Sequence, residues 1–211
     1  MASIELPDPE PELESDETSS VERAIADRES RRSFASRPLA LTDVSQLLWA
    51  AQGITHTRDG IAMRATPSAG TTYPLTAFLE VARDGNEELA PGCYRYEPAA
   101  HRLERTLEGS VHEALTRAAL GQDVVRNAPT TVVLTGAYDR TRRQYPDRGE
   151  RYVHMEAGHA AENVHLLCES RELNCCPVGA FSAGDVADVL GLPDRLEALY
   201  LLPVGHRTGD R

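Results

Sequence analysis

The sequence predicts an α+β domain, because strands and helices follow one another without the regular alternation of a parallel α/β sheet. Two observations carry this prediction. Runs of apolar and β-branched residues indicate buried strands in "TAFLEVA", "TTVVLTGAY" and "LEALYLLPVGH". Segments with helical periodicity lie between these runs, and the longest is "RYVHMEAGHAAENVHLLCESREL".

Shorter patterns predict the remaining elements. A first helix starts in "SSVERAIADRES" with Ser19 or Ser20 as its N-cap. A second helix, "LTDVSQLLWAAQGI", is expected to be capped by Thr42 and to end at Gly53. Further strands are expected in "PGCYRYEP" and "NCCPVGAF", and Ser182 is the expected N-cap of a short helix in "SAGDVADVLGL".

Charge divides the chain into two parts. Of the formal net charge of -11, -7 lies in residues 1–18, ahead of the first arginine, Arg23. This composition predicts a disordered, solvated tail over residues 1–18, followed by a single domain over residues 19–211. The overall negative charge argues against nucleic acid or an anionic membrane as a partner. With no signal-peptide pattern and no apolar run as long as a membrane span, we expect a cytoplasmic protein.

The basic and metal-ligating residues restrict the chemistry further. All 22 basic residues are arginine, which fits a salt-rich cytoplasm and a GC-rich genome equally well. The four cysteines lack the spacing of a metal site, and the histidines of the long helix do not share one face at close range. We therefore expect no metal site.

Two adjacent guanidinium groups, Arg31 and Arg32, stand before Ser33 in the non-helical segment "SRRSF". Adjacent like charges repel each other unless water or an anion lies between them. The segment is therefore either a solvated surface pair or, with the hydroxyl group, a site for a dianionic phosphate.

Two turns are further candidates for a ligand site. The turn in "PSAGTTYPL", formed by Pro67, Ser68, Ala69 and Gly70, precedes a strand and presents backbone amides and hydroxyl groups. In "CCPVGAF", Gly179 allows a backbone to lie close to a ligand and Ala180 presents an amide. Each turn is also compatible with a plain connecting loop.

In their order and spacing these motifs resemble the nitroreductase superfamily of FMN-dependent oxidoreductases, and within it the SagB/ThcOx-type dehydrogenases. The resemblance spans residues 22–207 and rests on "RRSF", "PSAGTTYPL", "HMEAGHAAENVHLL", "CCPVGAF" and "LYLLPVGHR". It implies a central mixed or antiparallel sheet flanked by helices, one FMN-binding domain, and an intertwined homodimer. The dimer core would be the long helix, and its small residues would serve the interface: Ala157, Gly158, Ala160 and Ala161.

The resemblance also implies which residues contact FMN. Arg31 would bind the phosphate, while Arg32 and Ser33 would bind the phosphate, the ribityl chain or the pyrimidine edge. Many relatives carry a lysine near flavin N1 and O2, and Arg32 is the candidate substitute in this lysine-free chain. A backbone amide at Gly179–Ala180 would lie near flavin N5, Arg207 would add a third arginine, and the turn at residues 67–70 would cover the flavin of the other subunit.

The resemblance implies a ping-pong mechanism that acts on a small-molecule substrate. Azoline-oxidising relatives often carry a basic residue followed by tyrosine, here Arg151 and Tyr152. Arginine does not readily release a proton, so Tyr152 is the candidate acid/base. The activity is either that of a SagB-type dehydrogenase or that of an NAD(P)H-dependent nitro or quinone reductase. The alternatives are a non-catalytic flavin-binding or sensing module that uses the acidic tail to bind a partner, and a domain without a cofactor.

Overall fold

The computed structural model describes residues 2–9 and 21–209. Its helices are α1 (Val21–Asp27), α2 (Leu41–Gln52), α3 (His112–Ala118), α4 (Asp123–Arg126), α5 (Tyr138–Arg142), α6 (Gly149–Ser170) and α7 (Ala183–Leu190). Its strands are β1 (Ser3–Glu5), β2 (Ile54–Arg58), β3 (Ile61–Arg64), β4 (Leu75–Val81), β5 (Gly92–Glu97), β6 (Arg102–Glu108), β7 (Thr130–Gly136), β8 (Leu173–Cys175) and β9 (Glu197–His206). In this part of the chain, no helix combines the length and apolar character that crossing a bilayer requires.

The main sheet has seven strands in the order β1-β6-β5-β4-β7-β9-β8, and every neighbouring pair is antiparallel. β4 and β9 flank β7 at the centre, where Phe78 pairs with Val133 and Val133 pairs with Leu201. β2 and β3 form a separate hairpin. This architecture confirms the predicted α+β class, and of the two predicted sheet types it is the antiparallel one.

Helices cover both faces of the main sheet, because side chains of the central strands alternate between two cores. Leu79 and Val132 belong to the core that contains residues of α2 and α6. Phe78, Val133 and Leu201 belong to the core that contains residues of α3, α4 and α7. The sheet is therefore buried on both sides at its centre.

The N-terminal segment differs from its prediction. Ser3–Glu5 pair with β6, Leu6 is only 8% exposed, and the Pro7 carbonyl accepts a hydrogen bond of 2.6 Å from the Ser45 hydroxyl. The expected disorder is therefore wrong for residues 2–9, because a sheet edge and an apolar contact that composition does not reveal order this segment. The remainder of the predicted tail, with the caps Ser19 and Ser20, lies outside the described residues.

The ends of α2 and the start of α7 agree only in part with the predictions. α2 begins at Leu41 with Ala40 at the N-cap position, so the prediction of Thr42 as the cap is wrong. The reason is that the Ala40 carbonyl already accepts the first helical hydrogen bond, from the Val44 amide at 3.2 Å. The end at Gly53 is confirmed. Ser182 is confirmed as the N-cap of α7, since its side chain accepts a hydrogen bond from the Asp185 amide.

The small residues of α6 have a different role from the one expected. Ala157, Ala160 and Ala161 are at most 4% exposed and pack in the same core as α2 within the subunit. Only Gly158 of the set is open, since a Cβ built there would meet no atom within 4 Å among the described residues. Close packing of α6 inside its own subunit therefore explains three of the four small residues.

Candidate functional site

The loop that carries Arg31, Arg32 and Ser33 runs beside the edge strand β8. The Arg31 amide donates to the Cys175 carbonyl at 3.1 Å, and the Asn174 side chain donates to the Ser33 carbonyl at 2.8 Å. These contacts fix the backbone of the loop, while the side chains of Arg32 and Ser33 remain exposed and that of Arg31 is half-buried.

Arg31 and Arg207 meet at one carboxylate, that of Glu169 in the last turn of α6. Arg31 Nη1 donates to Glu169 Oε2, and Arg207 Nη2 donates to Glu169 Oε1 at 2.8 Å and to the Glu169 carbonyl at 3.1 Å. The Glu169 side chain is only 9% exposed. The carboxylate holds together two guanidinium groups that would otherwise repel each other. The structure therefore brings together two of the arginines predicted to bind the cofactor, and it adds Glu169, which was not predicted from the sequence.

Three arginines form what we call the arginine corner: Arg31, Arg32 and Arg207. They differ in how many of their N–H groups already donate to acceptors within the chain. Arg31 also pairs with Glu29 through Nε at 3.1 Å and donates to the Asp27 carbonyl through Nη2 at 3.2 Å. Arg32 donates to the Ser30 carbonyl at 3.1 Å and has no ion pair among the described residues. Arg207 Nε is buried and lacks a hydrogen-bond partner in the same part of the chain. The corner thus retains unused donors next to an exposed positive charge.

The turn at Gly179 and Ala180 follows β8 and lies exposed beside β9. Val178 and Leu201 exchange backbone hydrogen bonds of 2.8 and 3.0 Å, and the Ala180 carbonyl accepts one of 2.7 Å from Gln122. A Cβ built at Gly179 would meet only the Tyr200 ring, at 4.0 Å. Within residues 2–9 and 21–209, the two N–H groups of Gly179 and Ala180 donate to no acceptor. The turn is therefore fixed, open and able to donate.

The turn at residues 67–70 lies against the segment between α5 and α6. Gly70 adopts the left-handed conformation (φ 57), and a Cβ there would lie 2.6 Å from the Gln144 side chain. Ser68 Oγ accepts the Tyr73 amide at 2.9 Å, and the Thr72 and Thr141 hydroxyl groups are 3.0 Å apart. Pro67 and Gly70 are exposed, and Ser68 and Ala69 are half-buried.

A buried carboxyl group lies beneath this turn. Glu156 of α6 is 3% exposed and contacts Ser68. Burial raises the pKa of Glu156 to about 7, although the Ser68 hydrogen bond and the nearby Arg64 charge oppose this shift. Arg64 in turn donates to Gln52 at 2.6 Å and stacks over the Tyr73 ring. This group was not predicted from the sequence, because a glutamate on a helix usually faces solvent.

Tyr152, the predicted acid/base, lies in the first turns of α6. Its half-buried ring meets the Tyr145 ring edge-to-face at a centroid distance of 5.1 Å. On the same part of α6, His154 Nε2 lies 2.7 Å from the Tyr138 hydroxyl group, and burial raises the pKa of Tyr138 to about 12. An open cleft runs beside these residues and is lined by Asp147, Glu150, Arg151, His154 and Met155.

The candidate residues form two groups within one chain. Arg31 and Arg207 meet Glu169 at the C-terminal end of α6, whereas Ser68 meets Glu156 in its N-terminal half. The positions of Glu156 and Glu169 on the helix place these contacts about 20 Å apart. Among the described residues, no group of three or more histidine, cysteine, aspartate or glutamate side chains could hold a metal ion.

The chain and its fold are similar to those of known proteins. The family model of the nitroreductases matches residues 25–206. The chain belongs to the nitroreductase family, and this membership confirms the predicted enzyme class, the FMN-dependent oxidoreductases.

Three relatives show how far the similarity extends. The chain is 40% identical over 189 residues to a protein of Methanocaldococcus jannaschii whose name assigns it to the nitroreductases, with 89% of this chain and 91% of the relative covered. It is 28% identical to a protein of Ralstonia eutropha, also named as a nitroreductase, whose crystal structure matches with a TM-score of 0.79 over 99% of this chain and 90% of the other. It is 29% identical over 194 residues to the trifolitoxin operon protein TfxC of Rhizobium leguminosarum, covering 86% of this chain but only 54% of that relative.

Proposed function

We propose that the chain forms a homodimer that binds FMN in sites shared by both subunits and uses it to oxidise one small molecule and reduce another in turn. The observation that carries this proposal is the meeting of Arg31 and Arg207 at Glu169, beside the exposed Arg32 and Ser33. When bound, FMN would supply hydride chemistry at N5.

The donors at this corner fit the phosphate of FMN. Arg207 has an unpaired buried Nε, and each terminal nitrogen of Arg31 carries a second N–H besides the one it donates within the chain. Arg32 adds a charge that no acidic side chain among the described residues neutralises at close range. Charge-assisted hydrogen bonds from such a set are the strongest that a protein offers to a dianionic phosphate. We assign the phosphate to Arg31, Arg207 and Ser33, with Arg32 reaching the phosphate or the N1/O2 edge.

The open turn after β8 fits the ring of the same flavin. The unused N–H groups of Gly179 and Ala180 would donate toward the edge that carries N5, and the absence of a side chain at Gly179 leaves room for the ring. Tyr152 would act as acid or base toward the substrate. Its place in the first turn of α6, at the opposite end of that helix from Glu169, fits a substrate held between subunits.

A shared site explains why the candidates separate within one chain. The turn at residues 67–70 lies about 20 Å along α6 from the arginine corner, so we assign it to the flavin bound by the other subunit. Exposed apolar residues on α6 and on α1, which contacts it, support an interface there, since Met155 of α6 is 50% exposed and Val21 and Ile25 of α1 are 67% and 59% exposed.

We propose two candidate activities for the physiological reaction. The M. jannaschii relative is named as a nitroreductase, which favours NAD(P)H-dependent reduction of a nitro compound or a quinone. The motifs that resemble the SagB/ThcOx-type dehydrogenases favour a SagB-type dehydrogenase. Rapid bleaching of the bound flavin by NADH or NADPH would support the first activity, and absence of bleaching would support the second. The cytoplasmic location stays a prediction.

Replacement of Arg31 tests the assignment of the phosphate site. Arg31→Ala removes one charge-assisted contact worth about 1.5–3 kcal/mol. The affinity for FMN, measured by fluorescence titration of the apoprotein, should fall about tenfold to a hundredfold. Arg31→Lys should restore only part of it, because a point charge replaces a bidentate fork.

Two controls separate loss of the phosphate contact from loss of structure. Riboflavin lacks the phosphate and should bind the wild type and Arg31→Ala almost equally. Arg58, which is well exposed on the hairpin, should tolerate alanine with little change in FMN affinity. Equal FMN affinity in the wild type and Arg31→Ala would contradict the proposed phosphate site.

A further inference from the structure

We propose that Glu169 is a positioning residue of the FMN site, whose carboxylate sets the places of Arg31 and Arg207 and thereby fixes where the phosphate binds. The inference deepens the proposed function and rests on it, because that function assigns the phosphate to these two arginines. The bridge that Glu169 forms between them lies within one chain and exists without FMN.

Three separate parts of the chain meet at Glu169. Arg31 lies in the loop between α1 and α2, Glu169 in the last turn of α6, and Arg207 directly after β9. Glu169 Oε2 accepts a hydrogen bond from Arg31 Nη1, and Oε1 accepts one of 2.8 Å from Arg207 Nη2. The Glu169 carbonyl accepts a further one of 3.1 Å from the same Arg207 nitrogen. Because each carboxylate oxygen holds one guanidinium group, the carboxylate sets the separation of the two groups.

The position of Glu169 on α6 is unfavourable for the helix itself. A carboxylate in the last turn of a helix faces the negative end of the helix dipole. The Glu169 side chain is only 9% exposed, so it has also lost most of its hydration. The ion pairs with Arg31 and Arg207 offset both effects. Its contacts with the arginines therefore explain the position of Glu169, whereas helix stability does not.

The bridge leaves both arginines able to bind an anion. The two guanidinium groups carry one more charge than the carboxylate neutralises. Glu29 also pairs with Arg31 Nε at 3.1 Å, but its carboxylate is exposed and screened by water. Arg207 Nε is buried without a hydrogen-bond partner among the described residues. A dianionic phosphate would therefore meet two charged groups that are already ordered before it binds, which favours affinity.

The charge of Glu169 and its reach have opposite effects on phosphate binding. If only its charge mattered, Glu169 would repel the phosphate, and Glu169→Gln would bind FMN more tightly. If Glu169 positions the arginines, Glu169→Gln should bind FMN about tenfold more weakly or worse, because the amide offers one oxygen and no charge to hold two guanidinium groups. Glu169→Asp keeps the charge but is one methylene shorter, so it should also bind FMN more weakly than the wild type.

Fluorescence titration of the apoproteins with FMN and with riboflavin measures these effects. Riboflavin lacks the phosphate, so the wild type, Glu169→Gln and Glu169→Asp should bind it almost equally. Glu162→Gln, at an exposed carboxylate on the same helix, should leave both affinities unchanged. Unchanged or tighter FMN binding in Glu169→Gln would overturn the inference. So would wild-type FMN affinity in Glu169→Asp, or a loss of riboflavin affinity as large as the loss of FMN affinity.

A double-mutant cycle on the apoprotein tests the bridge without any flavin. Arg31→Ala or Arg207→Ala alone leaves the Glu169 carboxylate one partner, whereas the double variant leaves a buried charge unpaired. The loss of free energy of unfolding, measured by urea denaturation, should therefore be larger in the double variant than the sum of the two single losses. In the Glu169→Gln background the losses should be additive. Additive losses in the presence of Glu169 would overturn the inference.

The two sets of measurements separate this inference from the proposed function. Non-additive losses of stability, with FMN affinity unchanged in Arg31→Ala and Arg207→Ala, would overturn the proposed phosphate site and leave the bridge in place. Weaker FMN binding in both arginine variants but not in Glu169→Gln would overturn the role of Glu169 and leave the proposed function in place.

Discussion

At the scale of single residues, the half-buried His112 pairs with the buried Glu80, and we expect this pair to make stability depend on pH. His112 Nδ1 lies 3.2 Å from Glu80 Oε1, and Nε2 lies 2.8 Å from the Arg126 carbonyl. Because both ring nitrogens face acceptors, the imidazolium form fits this site best. The Glu80 hydrogen bond raises the pKa of His112 above its ordinary value although burial opposes the shift, and burial raises the pKa of Glu80.

The pKa values of His112 and Glu80 are both raised, so the free energy of unfolding should fall as pH rises. Each group binds its proton more tightly in the folded chain than in the unfolded one. The contribution of His112 is complete below its unfolded pKa, near 6.5, and is lost as pH rises through its higher folded value. The free energy of unfolding, measured by urea denaturation between pH 6 and 9, should therefore decline with pH more steeply in the wild type than in His112→Gln.

An exposed histidine provides the comparison for this measurement. His159 on α6 is exposed, and His159→Gln should retain the slope of the wild type. Parallel slopes in the wild type and His112→Gln would show that the pair does not control the pH dependence.

Residue-level chemistry was predictable only in part from the sequence. The arginine loop and the two turns stood out because adjacent guanidinium groups and glycine-containing turns have few common uses. Glu169 and Glu156 did not stand out, because each occupies an ordinary helical position. Their burial depends on residues far away in sequence, Arg31 for Glu169 and Ser68 for Glu156. Only the folded chain brings these partners together.

At the scale of elements, β1 should contribute measurably to stability. Leu6, directly after this strand, is 8% exposed and its amide donates to the His101 carbonyl at 3.1 Å. Leu6→Ala removes buried apolar volume and should lower the free energy of unfolding by about 2 kcal/mol. Denaturant titration of the full chain measures this change.

Leu120 is the matched control for Leu6. It is 68% exposed, so Leu120→Ala should change the free energy of unfolding by less than about 0.5 kcal/mol. Equal stability of the two variants would mean that residues 3–6 do not hold to the sheet in solution.

Elements were predictable where burial shaped their sequence. β4, β7 and β9 lie in the middle of the sheet, and their apolar runs predicted them. β6 was not predicted, because Leu103 is its one fully buried residue. The hairpin β2–β3 was not predicted, because it is largely exposed. β1 escaped because an acidic composition outweighed a single buried leucine. An apolar pattern in the sequence indicates that one face of a strand is buried. Edge strands are ordered mainly by backbone hydrogen bonds, which leave no such pattern.

At the scale of the whole molecule, the proposed function requires that each flavin site draw on two subunits. The arginine corner would come from one chain and the turn at residues 67–70 from the other. In a symmetric homodimer, damage to either part disables both sites. A heterodimer with one damaged part in each chain would instead retain one intact site, because the two undamaged parts face the same flavin.

A heterodimer of two complementary variants is the most direct measurement of this claim. One chain carries Arg31→Ala and Arg207→Ala, and the other carries Pro67→Trp, where an exposed position accepts a large side chain that blocks the flavin of the other subunit. The two chains are co-expressed with different tags, purified as a heterodimer, and titrated with FMN. We expect that neither homodimer binds FMN appreciably and that the heterodimer fills about half of its sites. A heterodimer that binds no more FMN than the two homodimers would show that both parts of the site act within one subunit, and would contradict a site shared between subunits.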